Sequence, residues 1–282
     1  MIESTALSLL QQAVRERGRT LRAQTRRCRK QFSEEAVHDL RVAMRRLMAL
    51  IDFLGFFSRL PALRKLRKEI KTHLDAFDAL RDTQVMLLET SQRVTELPEL
   101  EPFHRYLLKS ESRLLRRAQK DIAGIGDNYA KTLRLALKAA ADSSYDVLAP
   151  VDDAYQTVLH RLALIAPSNT ATIHRVRIAF KRFRYSVEVV KPVLTTMPDD
   201  LLARLHAYQT VMGEIQDMEV MLAAIDAFAA RQKDGACGIE HVREFYQAVH
   251  EQRVQAYLER MNEVYSFWRT APNKPLPWEV TE

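Results

Sequence analysis

The sequence predicts an all-α fold, and three observations carry that reading. Glycine and proline number 7 and 10 among 282 residues, while Leu, Ala, Arg and Glu, all good helix formers, are plentiful. Apolar residues recur at the spacing of helical turns along most of the chain, and no strand-like alternation of useful length interrupts them. A ten-residue pattern at 37–46 returns at 173–182, with His38 and His174 standing 136 positions apart. A repeat at that distance predicts two similar helical units, 1–148 and 149–269, followed by an extended, proline-containing tail at 270–282.

Taken in order, residues 5–30 read as one helix, with Leu7, Leu10, Val14 and Leu21 on its apolar side. Arg15, Arg19, Arg22, Arg26 and Arg29 follow at alternating steps of four and three, a cationic stripe about four turns long. Ser33 suits an N-cap, with Glu34 and Glu35 in the favourable first turn, and the helix it starts runs to about residue 57. Pro61 suits the first turn of a third, long helix over 62–93, basic at its start and acidic at Asp75, Asp78 and Asp82. A fourth helical region spans 101–143, bent near Gly124 and Gly126. Asp, Ser and Pro cluster at 142–150 and mark a junction. Four further helices are expected at 151–165, 172–190, 198–230 and 240–268, with a Gly-containing loop at 232–238.

Charge narrows the class of partner. The net charge is +7. Residues 1–148 hold 28 Lys/Arg against 19 Asp/Glu, whereas 149–282 hold 15 against 17. An excess confined to one half points to a polyanion: nucleic acid, an acidic membrane surface or a phosphate polymer. The two cysteines, Cys28 and Cys237, have no metal-ligand spacing and form no disulfide framework, so a reducing compartment is the default. No leader-like segment and no long uncharged apolar stretch is evident, which makes a cytoplasmic protein without membrane insertion the expectation.

The repeated pattern supplies the candidate site. In the first copy His38, Arg41, Arg45 and Arg46 share one broad side of a helix whose other side carries Val37, Leu40, Met44, Leu47, Ile51 and Leu54. In the second copy the same places hold His174, Arg177, Lys181 and Arg182. Arginine presents a planar fork to phosphate oxygens, lysine a mobile point charge, and histidine one or two donors. The competing structural reading has the histidines bonded to neighbouring carbonyls and the arginines paired with glutamates. Arg19, Arg22, Arg26, Lys68, Lys109, Arg113 and Arg116 on the other stripes are candidates for secondary anion contacts. A second echo, 77–85 against 212–220, aligns Asp82 with Asp217, two carboxylates suited to orienting Arg41 or Arg177 from within.

Catalysis finds little support in the residues. His38-Asp39 is the dipeptide of metal phosphohydrolases, yet the second copy replaces Asp39 by Arg175. Glu69, His73, Asp78 and Asp82 have the spacing of a carboxylate-rich metal site, but the second half does not preserve them. No phosphate-binding glycine loop, zinc signature or nucleophile motif occurs. Neither a metal nor another cofactor is therefore expected. A metal-dependent phosphohydrolase and a nucleic-acid-binding protein stand as the alternatives, the latter without a recognisable recognition module.

The His-x-x-Arg-Val/Ile-x-x-x-Arg/Lys-Arg pattern at His38 and His174, with the segments ending at Asp82 and Asp217, resembles the CHAD family, the conserved histidine α-helical domains. The resemblance covers about residues 4–268. It implies two pseudosymmetric four-helix units around a basic central cavity, and noncatalytic binding of inorganic polyphosphate through the eight motif residues. It also implies an association with polyphosphate granules, where some members are found. Two departures stand out. Asp78 is matched by Gly213, and Arg81 by Gln216.

Overall fold

The computed structural model describes residues 2–126, 129–140, 146–231 and 238–280. Among these residues the fold is built from ten α-helices, with short 3-10 turns between and after them. The one strand-type pairing among them is an isolated bridge between Ala166 and Asn169. No described helix is long and apolar enough to cross a membrane.

α1 (Ile2–Lys30) and α2 (Glu34–Phe57) form an antiparallel pair. Ser33 caps α2 as its residue type suggests, its hydroxyl accepting from the Ala36 amide at 3.2 Å. The long third helix expected over 62–93 is two helices, α3 (Pro61–Ala76) and α4 (Asp78–Arg93). They meet at Phe77, whose ring is fully buried. Neither glycine nor proline marks this break. The fourth region likewise divides into α5 (Glu101–Asp121) and α6 (Tyr129–Ala140), separated by a 3-10 turn at Ile122–Gly124. α7 (Ala149–Leu162), α8 (Ala171–Val190), α9 (Leu201–Ala229) and α10 (Ile239–Arg260) lie close to the expected four. Much of the proposed junction, at 141–145, and most of the loop at 232–237, Cys237 included, lie outside the described residues.

The tail is not simply extended. Leu276 is buried in the core, Pro277–Glu279 form a 3-10 turn, and the Trp278 ring lies 6.0 Å from that of Trp268. Apolar burial docks it together with hydrogen bonds at Thr196, whose hydroxyl donates to Glu279 at 3.0 Å and accepts from the Trp278 indole N–H at 3.3 Å. Trp268 in turn donates its indole N–H to Asp152, which also takes two hydrogen bonds from Arg269.

Two hydrophobic clusters hold the helices together, and both draw on the two halves of the sequence. The larger joins α1, α2, α3 and α6 to α7, α8, the start of α9 and the tail. The smaller joins the end of α4 and the start of α5 to the end of α9 and the start of α10. Within this frame α2 packs on α8, and α4 packs on α9. Cys28 is a free, buried thiol in the larger cluster, and burial pushes its pKa up to about 11.

Candidate anion-binding site

The apolar faces of α2 and α8 fix where their charged faces fall. Val37, Leu40, Met44, Leu47, Ile51 and Leu54 are all buried, as are Ile173, Val176, Phe180, Phe183 and Val187 on α8. Because the two helices also touch each other, and each touches α4 or α9, their polar sides meet in one seam. Arg41 and Arg45 enter it from α2, Asp78 and Asp82 from α4, Arg177 and Lys181 from α8, and Asp217 from α9. Mutual electrostatics record this proximity. Burial lowers the Lys181 pKa to about 6, helped by the charges of Arg177, Arg45 and Arg41 and opposed by Asp217. Burial likewise lowers the pKa of Arg45, with Arg41 adding repulsion, and that of Arg177, where Asp217 and Asp82 oppose it. It raises those of Asp82 and Asp217. Lost hydration thus works against the charged forms of Arg45, Arg177, Lys181, Asp82 and Asp217.

The cations of the two motifs divide into committed and uncommitted groups. Arg41 is committed: its side chain is 3% exposed, Nη2 lies 2.6 Å from Asp78 Oδ1, and Nη1 donates to the Leu74 carbonyl at 3.2 Å. Asp78 therefore does for Arg41 what the repeat assigns to Asp82. Arg46 is committed as well, by charge: its Nε lies 3.0 Å from Glu188 Oε2, within ion-pair distance though outside hydrogen-bond geometry. Glu188 also meets Arg17 at 3.2 Å and Arg184 at 3.0 Å, so one buried carboxylate gathers three guanidinium groups from α1, α2 and α8. Arg182 turns away from the seam to Asp153 on α7, at 3.0 Å. By contrast, no carboxylate among the described residues lies within ion-pair distance of Arg45, Arg177 or Lys181.

One residue difference between the halves accounts for the unequal fates of Arg41 and Arg177. Asp78, the partner of Arg41, corresponds in the second half to Gly213. A Cβ at Gly213 would stand 3.8 Å from Arg177 Nε and 3.9 Å from its Nη2. The side chain that would neutralise Arg177 is thus the one that glycine omits. Arg177 Nε is buried without a hydrogen-bond partner among the described residues, and so is His174 Nδ1. His38 is exposed, and its pKa is lowered by partial burial, by Arg81, and more weakly by Arg45 and Arg41, against the pull of Asp39.

Of the secondary candidates, Arg19, Arg26, Lys68, Lys109, Arg113 and Arg116 are exposed on α1, α3 and α5, and Arg22 is half-buried. Arg81 and Arg253 were not singled out by the motifs, yet both act on Asp217 from α4 and α10. Arg81 sits one residue before Asp82, where the echo at Gln216 breaks; nothing in the sequence marks Arg253. Glu69 and His73 face a small cavity of about 260 Å³ beside Gly124, apart from Asp78 and Asp82 on the next helix. Among the described residues no group of three or more His, Cys, Asp or Glu is placed to hold a metal ion.

Comparison with known proteins agrees with this architecture. No curated protein sequence matches the chain. The crystal structure of the CHAD domain from the plant Ricinus communis superposes with a TM-score of 0.72 at 19% sequence identity, covering 92% of this chain and 91% of that one. The shared property at that identity is the fold. The model of the CHAD domain family matches residues 12–226, which include both motif helices and most of the chain, and on that match the protein belongs to the CHAD domain family.

Proposed function

We propose that this protein is a noncatalytic binder of inorganic polyphosphate, with the phosphate chain lying along the seam between α2 and α8. The observation that carries the reading is the trio Arg45, Arg177 and Lys181. These three basic side chains from two repeated helices, two guanidinium groups and an amine that phosphate would favour in its charged form, are held in one partly buried place with no carboxylate within ion-pair distance among the described residues. Arginine forks and a lysine in a low-dielectric cleft bind phosphate oxygens more strongly than the same groups on an open surface. His38 and His174 add donors at the same ends of the two helices. Arg41, Arg46 and Arg182 act in this scheme by fixing helices, the first two through Asp78 and Glu188. We further propose that units 1–148 and 149–269 are related by pseudosymmetry about this seam, and that the protein works in the cytoplasm, at polyphosphate granules.

The test is a titration of defined-length polyphosphate against single-stranded DNA and RNA of matched charge at several salt concentrations. Polyphosphate should bind more tightly than both, with affinity falling as salt rises. Arg45→Ala and Lys181→Ala should each weaken it about tenfold, while Arg46→Ala should act on stability instead. Equal affinity for the three polymers would refute specific recognition, and wild-type affinity in both seam variants would refute the site.

A further inference from the structure

A second basic place lies where α2 ends and α3 begins. It is a cleft of about 590 Å³, lined by Asp52, Arg59, Arg64 and Arg67, with Arg182 reaching it from α8. Four guanidinium groups thus face one carboxylate. Arg67 Nε holds Asp52 at 2.5 Å, and Arg182 is shared with Asp153 at the rim. Arg59 and Arg64 have no carboxylate within ion-pair distance among the described residues, and both are exposed. The first turn of α3 opens here with Pro61 and without a side-chain cap, which adds the positive end of a helix dipole.

The repeat shows what such a corner accommodates. Shifted by the motif offset, Asp52 corresponds to Glu188 and Arg182 to Arg46. At the Glu188 corner a carboxylate of the chain itself gathers Arg17, Arg46 and Arg184 within 3.2 Å. At the Asp52 corner the acid is one methylene shorter and is taken by Arg67, so Arg182 turns outward and the corner opens into the cleft. One corner carries its own anion. The other has the cations and the volume, and too little negative charge of its own.

We infer that this cleft is a second anion-binding site, separate from the seam, for a compact run of two or three phosphate groups. Free inorganic triphosphate and the phosphate tail of a nucleotide share that chemistry. The inference rests on the arginine corner alone and stands whether or not polyphosphate occupies the seam.

The experiment is calorimetric titration of inorganic triphosphate into the full chain at low salt. It uses wild type, the Arg59→Ala/Arg64→Ala double variant and Lys181→Met. Both replaced arginines are exposed and unpaired, so the double variant should melt like wild type. It should lose one binding event, with affinity at that site falling at least tenfold, while long-chain polyphosphate still binds. Lys181→Met should keep that event. A double variant that binds triphosphate with unchanged stoichiometry and affinity overturns the inference. Loss of the same event in Lys181→Met also overturns it, because the site would then be the seam. Given the expected loss in the double variant, competition by ATP assigns the cleft to phosphate tails in general, and failure to compete assigns it to inorganic chains. Unaltered long-chain binding in Lys181→Met would count against the seam and leave the cleft standing.

Discussion

Placing an aspartate at Gly213 should disarm Arg177. The Cβ position is already in ordinary contact distance of the guanidinium, 3.8 and 3.9 Å from two of its nitrogens. A carboxyl group one bond further out reaches ion-pair distance without moving the helix, recreating the Arg41–Asp78 pair of the other half. A hydrogen bond to a charged group contributes about 1.5–3 kcal/mol. Arg177 is half-buried rather than sealed, so the lower end applies, and about 1.4 kcal/mol is a tenfold loss of affinity for polyphosphate. The control is Gly213→Asn, nearly the same shape without the charge, which should bind within about twofold of wild type. Glycine is a poor residue inside a helix, so neither substitution should lower the melting temperature. Calorimetric titration at fixed salt, with circular-dichroism melts of all three proteins, decides the matter. If Asp and Asn weaken binding equally, the glycine serves space rather than charge. If Asp leaves affinity unchanged, Arg177 does not touch the ligand.

Three further outcomes are expected. Asp78→Ala strands the buried Arg41 charge and should cost about 3 kcal/mol in chemical denaturation, the low end for a broken buried pair because Asp78 is itself half exposed. Glu188→Gln removes the charge that three arginines share. At about 3 kcal/mol, and roughly 2 °C per kcal/mol for a chain of this size, its melting midpoint should fall about 6 °C by scanning calorimetry. An unchanged midpoint would mean that those contacts are solvent-screened. The third outcome concerns Lys181, whose folded pKa of about 6 lies below the 10.5 of a free lysine side chain. Between those values the unfolded chain binds more protons than the folded one, so this residue makes stability rise with pH across that window, and Lys181→Met should flatten the rise. A phosphate chain in the seam favours the charged lysine. Binding at pH 8 should therefore take up protons, affinity should fall as pH rises above about 6, and the uptake should shrink in Lys181→Met. Titrations in buffers of different ionisation enthalpy measure it directly.

The helices were legible where local chemistry sets them. Ser33 and Pro61 start α2 and α3 as their residue types require, and the apolar faces of α2 and α8 are buried where periodicity places them. The break at Phe77 was not legible, because the helical period runs straight through it and neither glycine nor proline marks it. In the candidate site, the two motifs mark α2 and α8, which the fold packs against each other. What they could not say is which cations are already paired. That depends on partners far away in sequence, such as Glu188 for Arg46, and on Asp78 in place of Asp82. The mismatch of Asp78 with Gly213, visible in the repeat, separates an arginine with a carboxylate partner from one without.

The two hydrophobic clusters bear on how the chain folds as it is made. Each needs side chains from both ends of the sequence, with Leu10 and Leu276 in one and Met86 and Tyr246 in the other. When the ribosome has released α1 to α6, their apolar faces have neither α8 nor α9 to cover them. The Arg-rich nascent half would be collapsed but unfinished, with its cationic side in water and its greasy side waiting. Closure comes late, through contacts of long sequence separation, and is slow for a helical protein. Until α8 is made, α2 lacks the helix it packs against, so the seam is among the last features to form.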